Sequence, residues 1–273
     1  MSGLIPLTVR ELRKWYRNPV FFIVGLLQPI FWIALFGSAF DITRLFSEIP
    51  ASTGIVSPFA PAPNYITFIV GGILTTTSLF TAMFSGTSLI FDRRLGNLGR
   101  FLVSPIRRSS IVFSKILSTT IRILVQAIIL IGAALLIPNG LVLAHGINIL
   151  DVIIIAAALI MVAFSFSSLF SIIAIRLRKQ ETIFGIINLI NLPLLFASYA
   201  LFPSGLMATW LANVANYNPV SWSAVSIRTV IEYGNVMNGS QFNSVMLYLL
   251  YLFLLSLFMI ILTIFLSEKE IRD

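Results

Sequence analysis

The chain has 273 residues, 58% of them hydrophobic and only 10% charged, where a soluble domain of this length carries about 25% charged residues. That composition excludes an ordinary soluble globular domain and points to a bilayer as the solvent. The absence of cysteine excludes disulfides and thiol chemistry, and the net charge of +8 reads first as membrane orientation rather than nucleic-acid binding, because Lys and Arg gather in cytoplasmic loops.

The first 18 residues place Leu4, Leu12 and Trp15 at three-to-four-residue spacing, with Ile5 and Tyr16 beside them. Arg10, Arg13, Lys14 and Arg17 lie largely opposite. This segregation predicts an amphipathic helix lying flat at the inner membrane surface. Asn18-Pro19 then breaks it and turns the chain into the bilayer.

Six apolar runs follow, at residues 20–40, 66–91, 116–138, 152–175, 182–202 and 244–266. Each reaches bilayer length, about 20 residues at about 1.5 Å rise each. The first run exceeds the roughly 7–15 residues of a signal-peptide core, so it is predicted to be retained as a span. Between the first two runs, Pro50, Pro58, Pro61 and Pro63 predict irregular or polyproline-like chain.

The loop over 203–243 differs. Leu206, Met207, Trp210, Leu211, Val214, Trp222, Val225 and Ile227 are too apolar for a solvated loop. Asn218 as N-cap and Pro219 at the first helical position start a helix there, and Gly234 stops it after Tyr233. The segment reads as one or two short re-entrant helices dipping into the outer leaflet.

Basic residues alternate loop by loop. Arg10, Arg13, Lys14 and Arg17 precede the first span, and Arg93, Arg94, Arg100, Arg107, Arg108 and Lys115 lie between the second and third. Arg176, Arg178 and Lys179 lie between the fourth and fifth, and Lys269 and Arg272 close the chain. The opposite loops hold Arg44 and Arg228. The expectation is a multi-pass protein of the cell membrane with both termini cytoplasmic.

Chemistry is sparse. No G-x-x-x-x-G-K-[ST] phosphate loop occurs, and the single histidine, His145, cannot build a His-based triad or a His-pair metal site within one chain. No residue is a candidate catalyst or metal ligand. No carboxylate lies inside a predicted span, which argues against a proton- or sodium-coupled carrier. Asp151, at the outer end of the fourth span, marks the interface or caps the helix.

Arg122 is the one charge inside a span, about 10 Å above Lys115 on the same face. It either snorkels to the inner interface or forms a gate or substrate contact on the cytoplasmic side. Gln28, Gln126, Asn188 and Asn191 are the other translocation-path candidates, with interhelical hydrogen bonding as the alternative reading. Pro29 and Pro193 are expected to kink their helices. The run TTTSLFT at 75–81 offers small hydroxyls that let helices approach closely.

Residues 92–115, DRRLGNLGRFLVSPIRRSSIVFSK, form a basic segment punctuated by Gly and Pro between the second and third spans. Through Asp92, Arg93, Gly96, Leu98, Leu102, Pro105 and Lys115 it resembles the coupling region of ABC transporter permeases of the type-2 exporter class. The drug and antibiotic exporters of the daunorubicin-resistance type look most similar. Asn218-Pro219 followed by Trp222 and Arg228 resembles the Asn-Pro…Arg stretch before the last span of these permeases. Three positions depart: Arg94 where Glu is usual, Gly99 where a charged residue is usual, and Ser114 where Gly is usual. The first change removes a negative charge available to a partner or to the N-terminal helix.

The resemblance covers nearly the whole chain. It implies an all-α membrane protein, a single domain over 1–273, with six transmembrane helices, an N-terminal amphipathic interfacial helix, a cytoplasmic coupling helix within 92–115 and outer re-entrant helices over 203–243. It implies a transport subunit rather than an enzyme, with no cofactor of its own. ATP and Mg would be bound by a separate ABC ATPase subunit. A second permease subunit, identical or not, would complete a dimer, with the lipid bilayer around it and no nucleic acid. In the coupling helix, Leu98, Phe101, Leu102 and Val103 would supply the apolar contact to the ATPase, and Arg93, Arg94 and Arg100 the charged rim. The apolar path favours an amphiphilic cargo, a drug, antibiotic or lipid-like molecule moved outward. A polysaccharide is the alternative cargo, and an ATP-independent carrier, channel or scaffold the alternative function.

Overall fold

A computed structural model describes residues 3–39, 59–96, 107–138, 140–143, 146, 148–177, 179–234 and 241–270. Nine α-helices and no strand occur among them. They are α1 (Leu4–Tyr16), α2 (Pro19–Ala39), α3 (Tyr65–Arg94), α4 (Arg108–Leu136), α5 (Ile149–Arg176), α6 (Gln180–Phe196), α7 (Thr209–Asn216), α8 (Pro219–Tyr233) and α9 (Phe242–Glu270). A 3₁₀ turn, Ser204–Leu206, separates α6 from α7. Helices α3, α4, α5 and α9 are long and apolar enough to cross a membrane; α2 and α6 are shorter apolar helices.

The ends follow local chemistry. Asn64 starts α3: its Oδ1 accepts from Thr67 N at 2.8 Å, and its Nδ2 donates to Gly140 O at 2.7 Å, which ties that start to the chain leaving α4. Asp151 caps α5 by accepting from Asn148 N at 3.0 Å, one of the two roles expected of it. α8 starts at Pro219 and ends at Gly234, whose φ of +54° suits a residue without a side chain. α2 runs unbroken through Pro29. α6 does not reach the expected residue 202. It ends at Phe196, three residues after Pro193, and the chain turns through 197–202.

Helix α3 is the centre of the bundle. Of its most apolar stretch 89% is buried, against 22% for α9 at the periphery. It packs on α2, α4, α5, α6 and α8. Two glycines permit this crowding. A Cβ at Gly72 would stand 1.7 Å from Ala200 O, and one at Gly86 would stand 2.5 Å from Phe170 O. The hydroxyl run of α3 serves the same contacts: Thr75 Oγ1 shares a 3.1 Å hydrogen bond with Ser223 Oγ of α8.

Candidate functional site

Segment 95–107 leaves the end of α3 and returns at the start of α4, and both roots are held by ion pairs. Leu95 N donates to Phe91 O at 3.0 Å, and Gly96, with φ of +69°, turns the chain away from the helix. One residue back from Arg93, Asp92 points into the protein and is almost fully buried. Lys115, on the first turns of α4, donates to Asp92 Oδ2 at 2.5 Å and to Ser88 Oγ at 2.5 Å. It too is 2% exposed, so this pair has lost its water and depends on partners.

The partners come from α1. Arg10 donates to Asp92 Oδ1 at 3.0 Å, and Lys14 donates to the same oxygen at 3.2 Å. Lys14 also donates to Glu11 Oε1 at 3.0 Å, and Lys115 Nζ lies 3.7 Å from that oxygen. Two acids, Glu11 and Asp92, therefore face three cations, Arg10, Lys14 and Lys115. Arg122, two turns beyond Lys115, reaches back to donate to Glu11 O at 2.7 Å, with its guanidinium 5.8 Å from the Trp15 ring centre. α1 is thus bolted to both roots of the segment.

A third helix joins through Arg93. Its guanidinium donates to Ile175 O at 3.0 Å and Leu177 O at 3.2 Å, at the C-terminus of α5. Carbonyls there lack helical partners and carry the negative end of the helix dipole, so a cation is the fitting cap. Arg94 is exposed and, among the described residues, makes one long contact, 3.5 Å to Gln180 Oε1 at the start of α6. The anion that meets α1 is Asp92, two residues before the position where Glu is usual. Leu98, Gly99, Arg100, Phe101, Leu102, Val103 and Pro105 lie outside the described residues.

At the opposite end, Asn218, Pro219 and Arg228 rebuild the broken end of α6. Asn218 Oδ1 accepts from Val220 N at 2.9 Å as the N-cap of α8. Its Nδ2 donates to Leu194 O at 2.8 Å and Ala197 O at 2.7 Å. Arg228 is buried and donates to Tyr199 O at 2.8 Å, Ala200 O at 3.1 Å and Phe68 O at 3.0 Å. Its charge lies over the Phe68 ring, 3.6 Å from the centroid, with Glu232 one turn on along α8. Asn218 and Arg228 thus satisfy four carbonyls left without helical partners where α6 ends.

The remaining candidates do not converge. Gln126 is buried, accepts from Thr81 Oγ1 at 2.9 Å and lies against Gly25, joining α4 to α3 and α2. Gln28 on α2 and Asn188 on α6 are exposed among apolar neighbours, while Asn191 is buried with its Oδ1 unpartnered among the described residues. Of the basic residues at α1, Arg10 and Lys14 reach Asp92 while still partly exposed, and Arg13 and the C-cap Arg17 stay exposed with no side-chain partner among the described residues.

The model of the ABC-2 type transporter family matches residues 4–232, which takes in α1, both roots of the segment and the Asn218–Arg228 clamp. The chain belongs to that family. It is 31% identical over 220 residues to a putative transport permease ycf38 of Porphyra purpurea, covering 80% of this chain and 70% of that protein. A ycf38 permease of Cyanophora paradoxa is 31% identical over 238 residues, 86% of this chain and 76% of the relative. The daunorubicin resistance ABC transporter permease protein DrrB1 of Streptomyces coeruleorubidus is 24% identical over 222 residues, 81% and 72% of the two chains. Family membership and the apolar helices make this a multi-pass membrane protein, the membrane component of an ABC transporter, in a family whose members work with an ABC ATPase subunit.

Glu11 and Ser88 are the residues that reading the sequence of this ABC-2 permease missed. Glu11 is the lone acid before Asp41 and interrupts a basic helix on the side of Leu4, Leu7 and Trp15. Its partner lies 104 positions along the chain, a pairing that no local pattern reports.

Proposed function

We propose that this chain is the permease subunit of an ATP-driven exporter of the cell membrane, with α2, α3, α4, α5, α6 and α9 as six spans and both termini in the cytoplasm. A separate ABC ATPase binds ATP and Mg and seats the helix within 92–115 through Leu98, Phe101, Leu102 and Pro105. A second permease subunit completes the path. The cargo is amphiphilic, a drug, antibiotic or lipid-like molecule moved outward. The drug-resistance relatives and the apolar bundle support that class over a polysaccharide.

The observation that carries the coupling is the ion cluster. A push on 95–107 meets Asp92 and Lys115, and through them α1, while Arg93 passes it to α5. A segment anchored to four helices moves them together, which is what a lever needs. The test is co-purification of the tagged permease with a co-expressed ABC ATPase, together with export from vesicles. Leu98→Asp with Phe101→Asp abolishes both; if ATPase binding and export survive, the lever reading is wrong. ATPase stimulation by a panel of drugs, lipids and glycans then reads the cargo class.

A further inference from the structure

We propose that the outward face of α1 binds anionic phospholipid headgroups. The packed face of this 13-residue helix carries Leu7, Thr8 and Glu11. Turned away from it, Ile5 is 73% exposed, Val9 47% and Tyr16 63%, an apolar stripe at helical spacing that the described residues leave uncovered. Arg13 and Arg17 run beside the stripe, one turn apart. Both are exposed, and neither side chain makes an ion pair or hydrogen bond with the described residues. Arg10 and Lys14, the other two cations of the helix, are already committed to Asp92.

The occupant follows from what the stripe joins. α2 begins two residues after Arg17 and exposes Val20, Ile23 and Val24, so the apolar surface of α1 runs on into a helix whose outer side meets lipid. A surface that is apolar on the bilayer side and carries two arginines one turn apart at its edge, their Cβ atoms about 6 Å from each other, fits acyl chain and phosphate together. Guanidinium groups bind phosphate through paired hydrogen bonds, and a net-negative headgroup adds long-range attraction that a zwitterionic one lacks. The inner face of the same rigid helix grips Asp92 and approaches Lys115. Lipid charge therefore sets how firmly α1 sits over the roots of 95–107. This inference needs the membrane and not the ATPase, so it stands or falls apart from the proposed coupling.

The test uses the purified full chain in mixed micelles of phosphatidylglycerol and phosphatidylcholine, with bound lipid counted by native mass spectrometry. Phosphatidylglycerol is retained preferentially. The preference falls about fivefold for Arg13→Gln or Arg17→Gln and about thirtyfold for both, from the typical attraction of one basic residue to an anionic surface. Lys179→Gln, which removes an exposed cation at the start of α6, leaves it unchanged. Because the chain lacks cysteine, a nitroxide on Val9→Cys reports the second half of the site. It becomes oxygen-accessible and water-inaccessible in vesicles containing phosphatidylglycerol. Equal retention of the two lipids by the unaltered chain, or a preference that survives the double variant, overturns the proposal. Displacement of the lipid by inorganic phosphate overturns it too, since an ion site would then suffice.

Discussion

Asp92→Asn isolates the ion cluster. Three donors converge on this carboxylate, Lys115 at 2.5 Å, Arg10 at 3.0 Å and Lys14 at 3.2 Å. Neutralising it leaves Lys115 in an almost waterless site with Ser88 and the more distant Glu11, at 3.7 Å. An uncompensated buried charge costs about 3–5 kcal/mol. At about 2–4 °C per kcal/mol for a chain of this size, the midpoint of thermal unfolding falls by roughly 6–20 °C. Removing the stranded charge as well reverses most of the loss: Asp92→Asn with Lys115→Met leaves Arg10 and Lys14, the partly exposed members, free to hydrate. The double variant is therefore expected to be more stable than the sum of the singles by at least about 2 kcal/mol. The assay is tryptophan fluorescence on heating in one detergent, for the parent, both singles and the double. A single variant melting within about 1 °C of the parent, or strictly additive losses, would refute a coupled buried cluster.

Two further perturbations address the opposite end. Asn218→Ala removes the α8 cap and two bonds to α6 carbonyls, a loss of about 3 kcal/mol, whereas Asn218→Ser keeps a capping oxygen and recovers about 1 kcal/mol of it, read from the same melts. Gly72→Ala drives a methyl into Ala200 O and abolishes a monodisperse gel-filtration peak, whereas Gly132→Ala, with nothing within 4 Å of its added carbon, leaves the peak intact.

The sequence made the helices legible because bilayer-length apolar runs are continuous signals, and Asn218-Pro219 and Gly234 mark α8 to the residue. It did not disclose where α6 stops. Pro193 announces a disturbance, but the early end depends on carbonyl partners supplied by Asn218 and Arg228 from another helix. Charge counting assigned Arg10 and Lys14 to a free basic face because they stand near Arg13 and Arg17. Only the packing of α1 against α4 separates the inward pair from the outward one. Arg93 likewise reads as one more loop cation until the C-terminus of α5 is brought beside it. Local periodicity carries the elements, while ion pairs between distant segments are a property of the assembled bundle.

The clamp at α8 also bears on how the chain is built. Synthesis runs from the N-terminus, so α6 leaves the ribosome before the side chains that complete its end. Leu194 waits 24 residues for Asn218, and Ala200 waits 28 for Arg228. At about 5–20 residues per second the delay is roughly 1–6 s. During it a short apolar helix presents bare carbonyls, which hydrocarbon does not tolerate. On the proposed topology, α6 stays beside water or the insertion machinery until α8 arrives, and the two enter the bilayer as one unit.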